Sequence, residues 1–255
     1  MSFNFGNLSN VKPASTTSYL KPYGIYKDVT IKSADVREGT SSAGNVWKSL
    51  NITFGNNEGI YSHSLFYFDE KDEKNWTRGT MDMPNGGKRE LPSTAEELQN
   101  AIAAIGFTFF PEDFKKLQQV ASKVQSTEQL MDYFKKFIDK NLGKNPTDMK
   151  LVGRNSNGRV YATFPKFTGI AQAKDEKRAA ENNINVGDWY TWMVSPFGQN
   201  LTFSAYEQQK ADEYHNAKPT SVGNSTTETD SINNFDSAPN GGSEDINFDD
   251  MLAEL

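Results

Sequence analysis

The sequence predicts a mainly β domain with an α-helical insertion, followed by a disordered acidic tail. Three observations carry this. Apolar and polar residues alternate with a period of two across residues 23–68 and again across 149–164, as in half-buried strands. Between these stretches, over residues 93–143, the period lengthens to that of helices. After residue 218 the composition turns to Ser, Thr, Asn, Gly and carboxylates, which cannot bury enough apolar surface to offset the entropy of ordering. The expected organisation is an extended arm over 1–20, a folded domain over 21–218 and a tail over 219–255.

Taken in order, Tyr23 to Lys32 reads as a strand with Ile25, Val29 and Ile31 on one face and Tyr26, Asp28, Thr30 and Lys32 on the other. Gly39 to Asn45 is a turn. A second strand places Val46, Leu50, Ile52 and Phe54 opposite Trp47, Ser49, Asn51 and Thr53. Gly55-Asn56-Asn57-Glu58-Gly59 is a hairpin turn by composition, since Asn and Gly tolerate positive φ. A third strand follows over Ile60 to Phe68, and a polar loop over 69–92. Ser93 and Glu96 stand at capping-box spacing before Leu98, Ile102 and Ile105. Pro111 suits the first position of a second helix, striped by Phe114, Leu117, Val120 and Val124. Ser126 and Gln129 repeat the capping spacing before Leu130, Met131, Phe134, Phe137 and Ile138, and Gly143 ends that helix. Strands resume over Met149 to Arg154 and Arg159 to Phe164, joined by Asn155-Ser156-Asn157-Gly158. A charged helix over 172–182 precedes a closing hairpin, Trp189 to Val194 and Leu201 to Tyr206, around Pro196-Phe197-Gly198.

Three meander strands, a helical connection and two further strands follow the order of an OB-fold, the five-stranded Greek-key barrel. The three-helix insert falls between its strands 3 and 4. A β-sandwich with a helical subdomain shares the pattern and stays open.

Composition narrows the function. Among 255 residues there is no Cys, which excludes disulfides, thiolate zinc sites and Cys nucleophiles. Two histidines, His63 and His215, are too few and too far apart in sequence for an imidazole metal site, so neither metal nor cofactor is expected. No basic-then-apolar leader opens the sequence, and no run approaches the roughly 18 apolar residues of a membrane span. A soluble intracellular protein is therefore expected. No Gly-x-x-x-x-Gly-Lys-Ser/Thr loop or Gly-x-Ser-x-Gly elbow occurs. Acidic pairs such as Glu96-Glu97 and Glu112-Asp113 fall on solvated positions, so the expectation is a binding protein and not an enzyme.

The charge is unevenly divided. The whole chain has 27 basic and 33 acidic side chains, a net charge of −6. Eight of those carboxylates, and no Lys or Arg, lie in 219–255, so residues 1–218 carry 27 basic against 25 acidic groups, about +2. A near-neutral body with an acidic arm suits a polyanion-binding surface and a tail that competes for it; a solubilising tail is the plainer alternative. At the tip, Phe248, Met251, Leu252 and Leu255 fall at i, i+3, i+4 and i+7 beside Asp249 and Asp250, one face of a short helix fit for a partner's groove.

Single-stranded nucleic acid is held by cations that track phosphates and rings on which bases stack. Candidates on outward strand positions are Tyr26, Lys32 and Arg37 on and after the first strand, and Trp47 on the second. Tyr61 and His63 share one face of the third with Tyr67. Trp76, Arg78, Lys88 and Arg89 lie in the polar loop, and Lys150, Arg154, Arg159 and Tyr161 in the late hairpin. Equally, Trp47 and Tyr161 could pack beneath the helical insert or the C-terminal segment.

Three stretches together, Lys21-Pro22-Tyr23-Gly24-Ile25-Tyr26, Met149 to Phe167 and Phe248-Asp249-Asp250-Met251-Leu252, resemble the single-stranded DNA-binding proteins of tailed bacteriophages, particularly crAss-like phages. The resemblance implies an OB-fold and coating of single-stranded DNA in replication, recombination and repair. It also implies self-association on DNA, a tail that recruits replication and recombination proteins, and residence in the cytoplasm of a host bacterium. The absence of Cys departs from the zinc-containing phage variety, and the resemblance does not account for the helical insert. A virion structural or assembly protein, and an RNA-binding or recombination-mediator module, are the alternatives.

Overall fold

In the computed structural model, which describes residues 18–41, 44–83, 86–156, 158–165, 169–172, 194–195 and 201–216, the first strand, β1 (Gly24–Thr40), is long enough to serve two partners. Its second half pairs antiparallel with β2 (Val46–Gly55), from Thr30↔Gly55 to Thr40↔Val46. Its first half pairs antiparallel with β6 (Thr147–Ser156), from Gly24↔Leu151 to Val29↔Thr147. β3 (Ile60–Phe66) extends the meander on β2. With β7 (Arg159–Thr163) hairpinned onto β6, and with β8 (Ala171–Gln172) and β9 (Val194–Ser195), these make a seven-stranded sheet in the order β3-β2-β1-β6-β8-β9. Its ladders are antiparallel except β8 with β9.

The polar loop expected over 69–92 instead holds a separate two-stranded sheet, β4 (Gly79–Asp82) with β5 (Lys88–Leu91). Four α-helices are present among the described residues: α1 (Thr94–Phe109), α2 (Phe114–Ala121), α3 (Thr127–Asp139) and α4 (Ala205–Asn216). The first three stand in chain order between β5 and β6. Ser93 and Glu96 close a capping box at the start of α1, and the Ser126 hydroxyl accepts from the Gln129 amide at the start of α3. Pro111 lies in a turn before α2 rather than in its first position.

The core forms where the inward face of the meander meets these helices. Ile31, Leu50, Ile52 and Phe54 are buried with Ile105 and Phe109 of α1 and Met131, Phe134 and Ile138 of α3. The Phe54 and Phe109 rings sit 5.4 Å apart. The second half of α1, Ala101 to Phe109, is apolar but for Thr108 and buried on nearly all sides, whereas Glu97 and Gln99 leave its first half exposed on one face.

The expected closing strand over Leu201 to Tyr206 is not one. Ser204 and Glu207 make a capping box, and α4 begins between them. The arm over 1–17, most of the charged helix over 172–182, the turn at Pro196-Phe197-Gly198 and the tail over 219–255 lie outside the described residues.

Candidate nucleic-acid interface

The late hairpin brings together the candidates at its tip. Arg154 is the cross-strand partner of Tyr161, and Ser156 of Arg159. Side chains alternate along a strand, so Arg154, Arg159 and Tyr161 share one face. All three are exposed, Tyr161 retaining 50% of its accessible surface. An exposed ring flanked by two guanidinium groups can stack on a base while the cations meet its phosphates. The opposite face of the hairpin is filled from below. Gly153 leaves space there for the Tyr23 ring, and a Cβ at 153 would come within 2.3 Å of Tyr23 Cε2.

A second group forms on the outward face of the meander, near the Thr40 end of β1. Register sets Arg37 across from Ser49, Ser49 from Phe66, and Trp47 from Gly39. The Trp47 indole lies over Gly39, where a Cβ would meet Trp47 Cζ2 at 2.5 Å. Its ring meets Phe66 edge-on, with centroids 6.2 Å apart. Further along the same face, Asn51 Oδ1 accepts from Ser64 Oγ at 3.1 Å, while Asn51 Nδ2 is buried without a hydrogen-bond partner among the described residues. This group and the hairpin tip are at opposite ends of β1.

Several expected contacts are corrected by the structure. Tyr26 is buried, because Asp28 at φ 52° and a register shift between Tyr26 and Val29 reverse the strand parity. Its hydroxyl donates to the Lys21 carbonyl at 2.7 Å. Tyr61 and His63 point inward, since His63 pairs with the core residue Ile52. Their rings pack on Phe164 at 4.8 and 4.6 Å. Burial holds the His63 imidazole down at about 4, so it is neutral at physiological pH and offers no phosphate a charge. Lys150 is only 3% exposed; its ammonium donates to Glu207 Oε2 at 2.9 Å. Arg78 is held by Glu96 and Glu90 at 2.5 and 3.2 Å, and that pairing holds the Glu96 carboxyl down at about 2.

The remaining candidates are dispersed. Lys32 is exposed at the irregularity between Ile31 and Ser33. Trp76 is 52% exposed and donates its indole N–H to the Glu70 carbonyl at 2.9 Å. Lys88 and Arg89 are exposed on β5, apart from the main sheet. Phe248, Asp249, Asp250, Met251, Leu252 and Leu255 lie outside the described residues. Phe66, Asn51 and Tyr23 were not among the site residues expected from the sequence. The signal for Phe66 was its place in the polar row Ser62, Ser64, Phe66, which alternates with Tyr61, His63 and Leu65.

Among the described residues no group of three or more His, Cys, Asp or Glu is arranged to hold a metal ion. No described helix is long and apolar enough to cross a membrane. A cavity of about 10 Å³ beside Phe54, Thr108, Met149 and Phe164 has room for one water molecule and none for a substrate. No family model, curated protein or solved structure matches the chain.

Proposed function

We propose that this chain is a binding protein, not an enzyme, and that it takes single-stranded DNA without sequence preference. The observation that carries this reading is the exposed face of the β6–β7 hairpin, where Tyr161 stands across from Arg154 and shares its face with Arg159. Every base has a π-face and every nucleotide a phosphate, so a ring between cations is tolerant of sequence. Arg37, Trp47 and Phe66 supply the same combination at the other end of β1.

Within this reading the meander, the helical connection and the β6–β7 hairpin are an OB-fold, with α1–α3 inserted between its third and fourth strands. The contact of Phe164, just past β7, with Tyr61 and His63 of β3 supports barrel closure between the first and last of these elements. OB-folds bind oligonucleotides on the face of strands 2 and 3 and on the loops at either end. Those correspond here to the outward face of β2–β3, the turn after Thr40 and the tip of the β6–β7 hairpin. The acidic tail then recruits protein partners through its apolar tip.

Titration with oligo(dT), followed by tryptophan fluorescence at several salt concentrations, tests the proposal. Expected are quenching and an affinity that falls linearly with the logarithm of salt concentration. Absence of binding at low salt overturns it, and tighter binding of oligo(U) than of oligo(dT) reassigns the ligand to RNA.

A further inference from the structure

The last helix among the described residues, α4, is attached to β6 by polar contacts. In α4, Glu207 and Ala211 are the buried residues, so no apolar stripe holds it to the body. Its fastening is Lys150 of β6, which donates to Glu207 Oε2 at 2.9 Å and to the Thr202 carbonyl at 3.1 Å. The same carboxylate oxygen accepts from the Ser204 amide at 2.8 Å, so one glutamate both caps α4 and anchors it. The far end of the helix reaches Tyr23. The Tyr214 and Tyr23 rings lie 5.6 Å apart, and His215 Nε2 sits 3.3 Å from the Tyr23 carbonyl. Tyr23 in turn fills the space beside Gly153, and its hydroxyl donates to the Gly153 carbonyl at 3.4 Å. It does so at φ 55°, a conformation that a tyrosine keeps when its surroundings determine it.

A two-stranded hairpin is marginal unless one face is packed. If the Arg154 face must stay open for ligand, support has to come through Tyr23. We infer that α4 is a clamp on this hairpin, with Glu207 and Tyr214 as positioning residues that act through Lys150 and Tyr23 to fix how Arg154, Arg159 and Tyr161 present themselves to the strand. The ligand in this statement rests on the proposed function; the mechanical link does not. A buried ion pair suits a clamp, because removing one partner of such a pair is strongly destabilising.

The test uses the full chain with Glu207→Gln, Tyr214→Ala and the apolar pair Lys150→Met with Glu207→Leu. Amide hydrogen exchange is measured along the chain, together with oligo(dT) affinity. Glu207→Gln and Tyr214→Ala are expected to speed exchange across residues 152–163 while β2 and α3 stay protected. They should weaken binding by about 2- to 30-fold, the range for residues that modulate a site without touching its ligand. In an Arg154→Ala, Arg159→Ala, Tyr161→Ala background that loss should vanish, and the apolar pair should restore hairpin protection and affinity alike. Unchanged hairpin exchange in both single variants overturns the clamp. So does an affinity loss that persists when Arg154, Arg159 and Tyr161 are all replaced. Should Glu207→Gln loosen the whole domain, Tyr214→Ala decides, since it leaves the ion pair intact. If the parent chain fails to bind oligo(dT), the functional reading falls while the exchange data still judge the clamp.

Discussion

Arg154 and Tyr161 are direct cross-strand partners in the β6–β7 ladder, and both stand exposed on the face that Tyr23 does not cover. Their contributions to binding are separable, because one is ionic and the other is stacking. Arg154→Ala and Arg159→Ala should each reduce the slope of log affinity against log salt by about 0.7, the value for one phosphate contact on a single strand. Tyr161→Ala should cost about 1–3 kcal/mol of binding and leave that slope unchanged. A salt titration of the three variants checks this, and slopes equal to the parent's in both arginine variants would remove the hairpin from the phosphate path.

Trp47 and Phe66 make the complementary test at the other end of β1. Each replaced by Ala should weaken oligo(dT) binding by about 1–3 kcal/mol if bases stack there. Trp47 is half-buried over Gly39, so its loss should also lower the melting temperature slightly. Thermal melting alongside the titration separates the two roles. A fall in melting temperature with unchanged affinity would assign both rings to packing.

The strands were legible because polar and apolar residues alternate in β2 from Ser49 to Phe54, and a face error there would have exposed Leu50, Ile52 and Phe54. Capping signals marked the starts of α1 and α3 for a similarly local reason: Ser93 and Ser126 bond within their own first turns. Parity failed where geometry was not periodic. The irregularity around Lys27 and Asp28 turned Tyr26 inward, and nothing in a two-residue count announces it. Lys150 failed for a different reason. It has the outward parity of a surface cation, but its cover, Thr202 to Glu207, lies more than fifty residues away in sequence. Long-range pairing of this kind leaves no local periodic signal.

His63 carries a pH dependence of stability and none of binding. Its imidazole titrates at about 4 when folded, against about 6.5 in an unfolded chain, because burial beside Tyr61 and Phe164 disfavours the cation. Between those values the unfolded state binds more protons, so stability rises with pH. Its contribution is fully present above about pH 6.5 and is lost as pH falls toward 4, of order 1–3 kcal/mol in all. His63→Leu should flatten the stability profile across that window. Denaturant midpoints at pH 7.5, 5.5 and 4.5 check it, and parallel profiles for parent and variant would contradict the burial of this ring.

Deleting residues 219–255 should tighten oligo(dT) binding, most at low salt. The removed segment carries eight carboxylates and no Lys or Arg, against a body of about +2. The end of α4 adds a geometric reason, since His215 lies 3.3 Å from the Tyr23 carbonyl and Tyr23 packs beneath the hairpin that bears Arg154. The chain therefore leaves α4 close to the hairpin, on the side away from Arg154, and a polyanion tethered there has a high effective concentration at the nearby cationic face. Its competition should fade as the Debye length shrinks to about 10 Å at 0.1 M salt. Changing Phe248, Met251, Leu252 and Leu255 to Ser removes no charge, so that variant should bind oligo(dT) like the parent while losing a protein partner. Titrations of the parent, the truncated chain and the serine variant at 20 mM and 200 mM salt decide between competition and a passive tether. Equal affinities for the parent and the truncated chain at 20 mM would leave the tail as a tether.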